Sequence, residues 1–327
     1  MRVHVKELAD AAMEALVVPS FTRIGYDLRR SMFAWTPLDD LTMTDRVVAV
    51  TGSTSGLGEV TATMLAGMGA RVRLIARDEG RARAAQERIA RSTGNDDIGF
   101  YLADMSDLEA VRRCASEIRD GEPRLDVLIN NAGALLNERM ESADGYEMTF
   151  ATMVLGPFVL TEALVPLLAA SDDARVITVT SGGMYTQRLH LDDLQLEREP
   201  YRGSIAYARA KRAQVALTRV WAHRYGDTSV VFHAMHPGWA ETPGLAASLP
   251  RFGTLLGPLL RTPEQGADTI AWLAAAPEGA GSSGSLWLDR RPRPFDKLPG
   301  TRVSASEAIQ LWDACERMAT PRDDDSD

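Results

Sequence analysis

The chain has 327 residues, 45% of them hydrophobic and 25% charged, with a formal net charge of -9 and a pI near 5.2. That balance fits a globular protein with a sizeable core, and it argues against nucleic acid or an anionic membrane as the main partner, because both demand a basic surface. The two cysteines, Cys114 and Cys315, stand far apart, so no disulfide framework and no metal site is expected, and a reducing compartment suits them. No apolar run reaches the length of about 20 residues that spans a membrane. The first residues lack a basic start leading to an apolar stretch and a cleavage site. A cytoplasmic protein without an integral membrane segment is the expectation.

Residues 1–44 read as a helical extension. "ELADAAMEALVV" has helical spacing and stops at Pro19, and "FTRIGYDLRRSMFAW" interleaves apolar and basic residues up to Pro37, Asp39 and Asp40. Such a segment could lie on a membrane or a partner, or be strapped over the main domain. The second is expected here: soluble structure and not an anchor.

From Asp45 to about residue 303, short β-rich runs alternate with longer helical ones. "RVVAVTG", "ARVRLIAR", "IGFYLAD", "LDVLINNAG", "ARVITVTS", "SVVFHAMHPG" and "GSLWLD" are the strands, with helical stretches between them. Near-continuous apolar strands alternating with helices imply an α/β fold with a single doubly wound parallel sheet covered on both faces. Its ligand crevice would lie at the carboxyl ends of the strands. Residues 304–327 read as a C-terminal helix followed by the acidic, disordered tail "PRDDDSD".

The strand ends carry chemistry. After the first comes "TGSTSGLG", where Gly52, Gly56 and Gly58 open a helix; a plain tight turn or a pyrophosphate cradle would both use glycines there. The spacing is not G-x-G-x-x-G and lacks the Lys of a nucleoside-triphosphate loop. Arg77 and Asp78 follow the second strand, where an acid suits the ribose of NAD and an arginine suits a 2′-phosphate; Arg77 could also be a solvated charge. Asp104 ends the third strand and could accept from an adenine amino group. Asn131, Ala132 and Gly133 end the fourth and allow close backbone approach to a ribose, although Asp and Asn also begin turns and cap helices. Thr180 and Ser181 end the fifth. In "AYARAK", Tyr207 and Lys211 share one helix face at i and i+4.

TGSTSGLG, NNAG, the serine after the fifth strand, Tyr-x-x-x-Lys and "HPG" at 236–238 occur in the order seen in the short-chain dehydrogenase/reductases, which the chain resembles from about Val47 to Leu288. "VITVTSGGMY", "YARAKRAQV" and "MHPGWAETPG" are similar to its retinol-dehydrogenase-like branch. The resemblance implies a Rossmann fold and an oxidoreductase, with Ser181, Tyr207 and Lys211 as catalytic residues. Tyr207 would be the general acid/base, with its phenol lowered by Lys211, and Ser181 would polarise the substrate oxygen. The resemblance also implies a cofactor site built from Gly52, Ser53, Ser55, Gly56, Leu57, Gly58, Arg77, Asp104, Met105, Asn131, Ala132, Gly133, Thr180, Tyr207, Lys211, Pro237, Gly238, Trp239 and Thr242. Arg77 favours NADP(H), with NAD(H) as the alternative.

Met153 departs from the family, which has an asparagine there supporting a water beside the lysine. Met184, Tyr185 and Trp239 could line a pocket for a small hydrophobic carbonyl or alcohol of lipid, retinoid or steroid type, under a lid at about 243–262. They could equally be core or an oligomer contact. The apolar face of Ala206, Ala210, Ala213, Leu217 and Val220 could meet its copy in a homodimer or be covered by the N-terminal helix. An NADP-holding sensor or scaffold with impaired turnover is the rival reading, with Met153 as its trace.

Overall fold

β1 (Val47–Thr51) is buried at every position, as a strand covered on both faces must be. In the computed structural model, which describes residues 2–241 and 257–321, it is an interior strand of one eight-stranded sheet. The other strands are β2 (Arg71–Ala76), β3 (Ile98–Leu102), β4 (Val127–Asn130), β5 (Ala174–Val179), β6 (Val230–Met235), β7 (Ser285–Leu288) and β8 (Arg291–Arg293). The order is β3-β2-β1-β4-β5-β6-β7-β8, parallel except for β8, so the winding reverses between β1 and β4. A ligand crevice forms at such a reversal, outside the carboxyl ends of the strands.

Two apolar layers flank the sheet. On one side α4 (Gly56–Gly67), α5 (Glu79–Thr93) and α9 (Pro263–Ala275) bury Leu65, Ile89 and Ile270. On the other, α6 (Leu108–Gly121), α7 (Met148–Leu168) and α8 (Gly203–Arg224) bury Ile118, Leu160 and Leu217. α7 is long and apolar enough to cross a membrane by composition, with a mean hydropathy of 1.7 over a window that is 72% buried in the fold. Here it is a core helix. The composition reading found no run of that length because Thr149, Thr161 and Glu162 interrupt the sequence without interrupting the helix.

The stretch "LDRRPRP" forms a hairpin. Leu288 pairs with Arg291 across a two-residue turn in which Asp289 and Arg290 have φ of 54° and 55°. Non-glycine residues are strained there, and buried ion pairs hold both. Asp289 takes Arg261 at 2.6 Å and Arg29 at 2.7 Å, and Arg290 takes Asp268 at 2.6 Å.

Those pairs tie down the N-terminal extension, α1 (Arg2–Ala15), α2 (Val17–Phe21) and α3 (Arg23–Phe33). Arg29 is fully buried and also meets Asp10 at 2.7 Å and Glu14 at 2.8 Å. The extension is strapped over the domain as expected.

The small-residue face of α8 is also covered, but by a different element. α10 (Ala305–Ala319) opens with a Ser304–Glu307 capping box and lays Leu311, Trp312 and Cys315 into the layer that holds Ala210, Ala213, Leu217 and Val220. Ala206 borders Leu189, Leu194 and Leu196 of the preceding loop. Thus the chain's own C-terminal helix and a loop fill that face, not the N-terminal helix. Most of the expected lid, and the acidic tail beyond residue 321, lie outside the described residues.

Candidate active site

The turn after β1 is shaped by crowding. Gly52 has φ 63°, and a Cβ there would lie 2.9 Å from Ala132 Cα. At Gly58 a Cβ would meet Gly52 O at 2.4 Å and Asn131 Nδ2 at 2.5 Å. Only bare backbone fits, and the N-terminus of α4 faces the same crevice. Ser55 caps α4 in an extended conformation with no side-chain bond, and Ser53 Oγ is buried without a partner among the described residues. An oriented, unsatisfied hydroxyl beside a helix N-terminus fits a phosphate-bearing cofactor. Leu57 turns its side chain toward Gly266 of α9 instead.

Asn131 proves to be a brace. Its Nδ2 donates to Thr51 O at 2.9 Å and to Gly52 O at 3.3 Å, while Asn131 N and Ala132 N both donate to Thr51 Oγ1 at 2.9 Å. Asp104 Oδ1 accepts from Ser106 N and Oγ. Met105 is buried in the core, its carbonyl pressed against Gly156. Thr180 Oγ1 donates to Lys211 O at 2.8 Å, tying the end of β5 to α8. Arg77 is exposed beyond β2 with no ion pair among the described residues, whereas Asp78 caps α5 by accepting from Arg81 N at 2.7 Å. The acid that could have served a ribose is therefore committed to the helix.

Ser181, Tyr207 and Lys211 converge. Lys211 is 2% exposed and donates from Nζ to Val179 O at 2.7 Å. Its ammonium stands 5.4 Å from the centre of the Tyr207 ring, and the Ser181 hydroxyl, whose Oγ accepts from Gly183 N at 3.3 Å, lies close enough to the phenol to favour its ionised form. Burial pushes Tyr207 up to about 12, opposed by the Ser181 hydroxyl, and pushes Lys211 down to about 7. Among the polypeptide's own groups desolvation thus outweighs the lowering of the phenol expected from Lys211. A polar hydroxyl, a phenol and an amine titrating near neutrality can together polarise an oxygen and move a proton to or from it.

Met153 fills the position beside the lysine. It sits in a π-helical turn of α7, Ala151–Leu155, and is fully buried. A Cβ on Gly133 would meet Met153 Sδ at 2.8 Å and Lys211 Nζ at 3.7 Å, so all three side by side leave room only for a glycine. Met153 O accepts from Gln214 Nε2 at 2.7 Å, while Gln214 Oε1 is buried and unpartnered among the described residues. The sequence reading missed Gln214, although its place one turn beyond Lys211 on α8 was visible.

It also missed Phe21 and Arg261. Phe21 lies flat against Gly182, where a Cβ would come within 2.3 Å of the ring, and packs edge-on against Trp239 at 5.7 Å. Trp239 N donates to Phe21 O at 2.7 Å. Gly238, at φ 71°, leaves space for the Arg261 guanidinium, and Arg261 Nη1 donates to Pro237 O at 3.2 Å. No local signal in residues 1–44 could have placed Phe21 between the Ser181 turn and the Pro237–Trp239 turn. Met184 and Tyr185 are buried beneath that same ring, with Tyr185 Oη donating to Pro294 O at 2.9 Å. They are core, the other of the two readings. Trp239 keeps some exposed surface, and Thr242 lies outside the described residues. No cluster of three or more metal-ligating acids, His or Cys occurs among the described residues.

A doubly wound sheet with a glycine turn after β1, and a Ser-Tyr-Lys group after β5, define a dehydrogenase of the short-chain type. The short chain dehydrogenase family model matches residues 46–250, and the chain belongs to that family, an oxidoreductase family acting on small carbonyl or alcohol substrates. The likeness seen in "YARAKRAQV" and "MHPGWAETPG" extends over nearly the whole length. The chain is 42% identical over 299 residues to the dehydrogenase/reductase SDR family member 12 of Bos taurus, covering 91% of this chain and 93% of that protein. It is 35% identical to human retinol dehydrogenase 14, covering 84% and 87%. A short chain dehydrogenase from Escherichia coli CFT073, solved in complex with NADPH, superposes with a TM-score of 0.62 at 25% identity, covering 78% of this chain and all of that one.

Proposed function

We propose that this protein is an NADP(H)-dependent oxidoreductase of hydrophobic carbonyl or alcohol substrates, with Tyr207 as the general acid/base. The observation that carries the reading is the convergence of buried Lys211, Ser181 and Tyr207 beside a turn that admits only glycine backbone. The bound dinucleotide supplies or accepts the hydride. The amides around Gly56 and Gly58 at the start of α4, together with the Ser53 hydroxyl, hold its pyrophosphate. The free Arg77 guanidinium, with Asp78 engaged as a cap, binds the 2′-phosphate. The relative solved with NADPH supports the same choice.

At the substrate, the Ser181 hydroxyl donates to the reacting oxygen while Tyr207 gives or takes its proton. Lys211 carries its charge beside the phenol, and with a pKa near 7 it passes a proton at neutral pH. The fixed turns around Ser181 and Pro237 hold the partners in place, and positioning of this kind contributes several kcal/mol. Retinol dehydrogenase among the relatives and the exposed part of Trp239 support an apolar substrate.

The test is oxidation of NADPH with a panel of hydrophobic aldehydes and ketones, run on the wild type and Tyr207→Phe. Turnover by the wild type and a loss of ~10²–10⁴-fold in the variant, with cofactor affinity retained, are expected. No turnover across the panel by a wild type that binds NADPH would instead make it a cofactor-holding sensor.

A further inference from the structure

The N-terminal extension bends where it meets the site. α2 ends at Phe21, Thr22 is extended at φ -89° and ψ 174°, and α3 starts at Arg23. Gly25 permits the bend, because a Cβ there would lie 2.5 Å from the carbonyl oxygens of Pro19 and Ser20. A helix end leaves its last carbonyls without intrahelical partners, and here distant donors take them. Ser20 O accepts from Arg29 Nη1 at 3.1 Å and Arg261 Nη2 at 2.9 Å, Thr22 O from Arg261 Nε at 3.3 Å, and Phe21 O from Trp239 N at 2.7 Å.

The Phe21 ring, 2% exposed, reaches from that bend to three parts of the site. It fills the space where Gly182, the residue after Ser181, would carry a Cβ. It packs edge-on against His236, the residue before Pro237, at 4.7 Å, and against Trp239 at 5.7 Å. His236 is fully buried with neither ring nitrogen hydrogen-bonded among the described residues, so packing is what fixes it. On the side of the extension, Lys297 pairs with Glu14 of α1 and stands 5.1 Å from the Phe21 ring centre. The fit is dictated from the site as well: a Cβ on Gly238 would come within 2.7 Å of Phe21 O. Both turns lack a side chain where the extension meets them.

We propose that Phe21 is a positioning residue for hydride transfer: its ring sets the spacing between the Ser181 turn and the Pro237–Trp239 turn, which makes the N-terminal extension part of the active site. The proposal rests on the reading of Ser181 as the group that polarises the substrate oxygen. A displacement of about 1 Å between reacting groups costs roughly 10²-fold in rate. Emptying the space of the ring lets both turns relax into it, while the glycine turn after β1 and Arg77 stay as they are.

The test compares Phe21→Ala and the milder Phe21→Leu with Leu311→Ala, a truncation at a fully buried position of α10 in a different apolar layer. Turnover on the hydrophobic carbonyl panel and NADPH affinity are measured for each. Hydrogen exchange at the amides of Gly183, Met184 and Trp239 is measured without cofactor, relative to the amides of β1, which report global opening. Phe21→Ala should lower kcat by roughly 10–100-fold, and Phe21→Leu by less, with NADPH affinity kept within about threefold. It should speed relative exchange at the three amides by at least about tenfold, whereas Leu311→Ala should lower Tm and leave kcat and that ratio within about twofold of wild type. A folded Phe21→Ala with kcat within about twofold of wild type, or an equal loss of kcat in Leu311→Ala, overturns the proposal. If Phe21→Ala does not fold, Phe21→Leu carries the same comparison. A wild type that turns over no substrate fails the hydride-transfer reading alone. The exchange ratio then decides, and a ratio unchanged in the Phe21 variants overturns the positioning role as well.

Discussion

Replacing Lys211 by methionine should stabilise the cofactor-free protein while removing its activity, and the size of the effect follows from the burial of one amine. Lys211 titrates near 7 in the fold against an ordinary value of 10.5, because its surroundings desolvate the charge. Between those pH values the unfolded chain binds a proton that the folded one does not, so stability rises with pH across that window. Below pH 7 the full cost is present, and a shift of 3.5 units corresponds to ~5 kcal/mol at ~1.36 kcal/mol per unit. Lys211→Met removes that cost but strands the Val179 carbonyl, which now accepts from Nζ at 2.7 Å; an unpaired buried group costs ~1–3 kcal/mol. The net gain at pH 6–7 is then about 2–4 kcal/mol, or a rise in Tm of roughly 3–6 °C for a chain of 327 residues. Melting curves of wild type and variant from pH 6 to pH 10 measure it directly. The gap should narrow as pH rises and the wild-type amine loses its proton in both states. A variant less stable than wild type at pH 7, or a gap independent of pH, would refute the reasoning.

Arg77→Asp should reverse the cofactor preference, weakening NADPH by about tenfold or more, since a charge-assisted phosphate bond contributes ~1.5–3 kcal/mol; titration of NADPH and NADH against both proteins checks this, and equal wild-type affinities would sink the assignment. Met153→Asn should leave turnover within about threefold of wild type, because the π-turn carbonyl it shares with Gln214 stays in place, and should cost ~1–3 kcal/mol for the buried amide. A large gain in rate at unchanged Tm would instead show that the missing asparagine limits the enzyme. Light scattering on the eluted protein should report a monomer of 35.7 kDa, since α10 covers the small-residue face of α8; a stable dimer through that face is the contrary result.

The alternation of apolar strands with helices determined the sheet by itself, because a buried parallel strand must be apolar on both faces and that requirement is written locally. The glycine-rich run from Gly52 to Gly58 and the Tyr207–Lys211 pair were legible for a similar reason: a glycine turn between a strand and a helix and a one-turn helical spacing are patterns of neighbouring residues, although the crowding that excludes a Cβ there comes from Asn131 and Ala132. The tertiary structure decided the rest. Asn131, read for the close approach of its backbone to a ribose, uses its side chain to brace the turn after β1, and Met184 and Tyr185, which the sequence left open between pocket and core, lie in the core beneath Phe21. Arg29, Asp289 and Arg261 sit up to 260 residues apart and become one buried ion cluster. That cluster draws Asp10 and Glu14 of α1 inward and leaves Val5 and Leu8 outside. Periodicity told that α1 has two faces, but which face meets the protein depends on where the distant arginines stand, and only the folded chain brings them there.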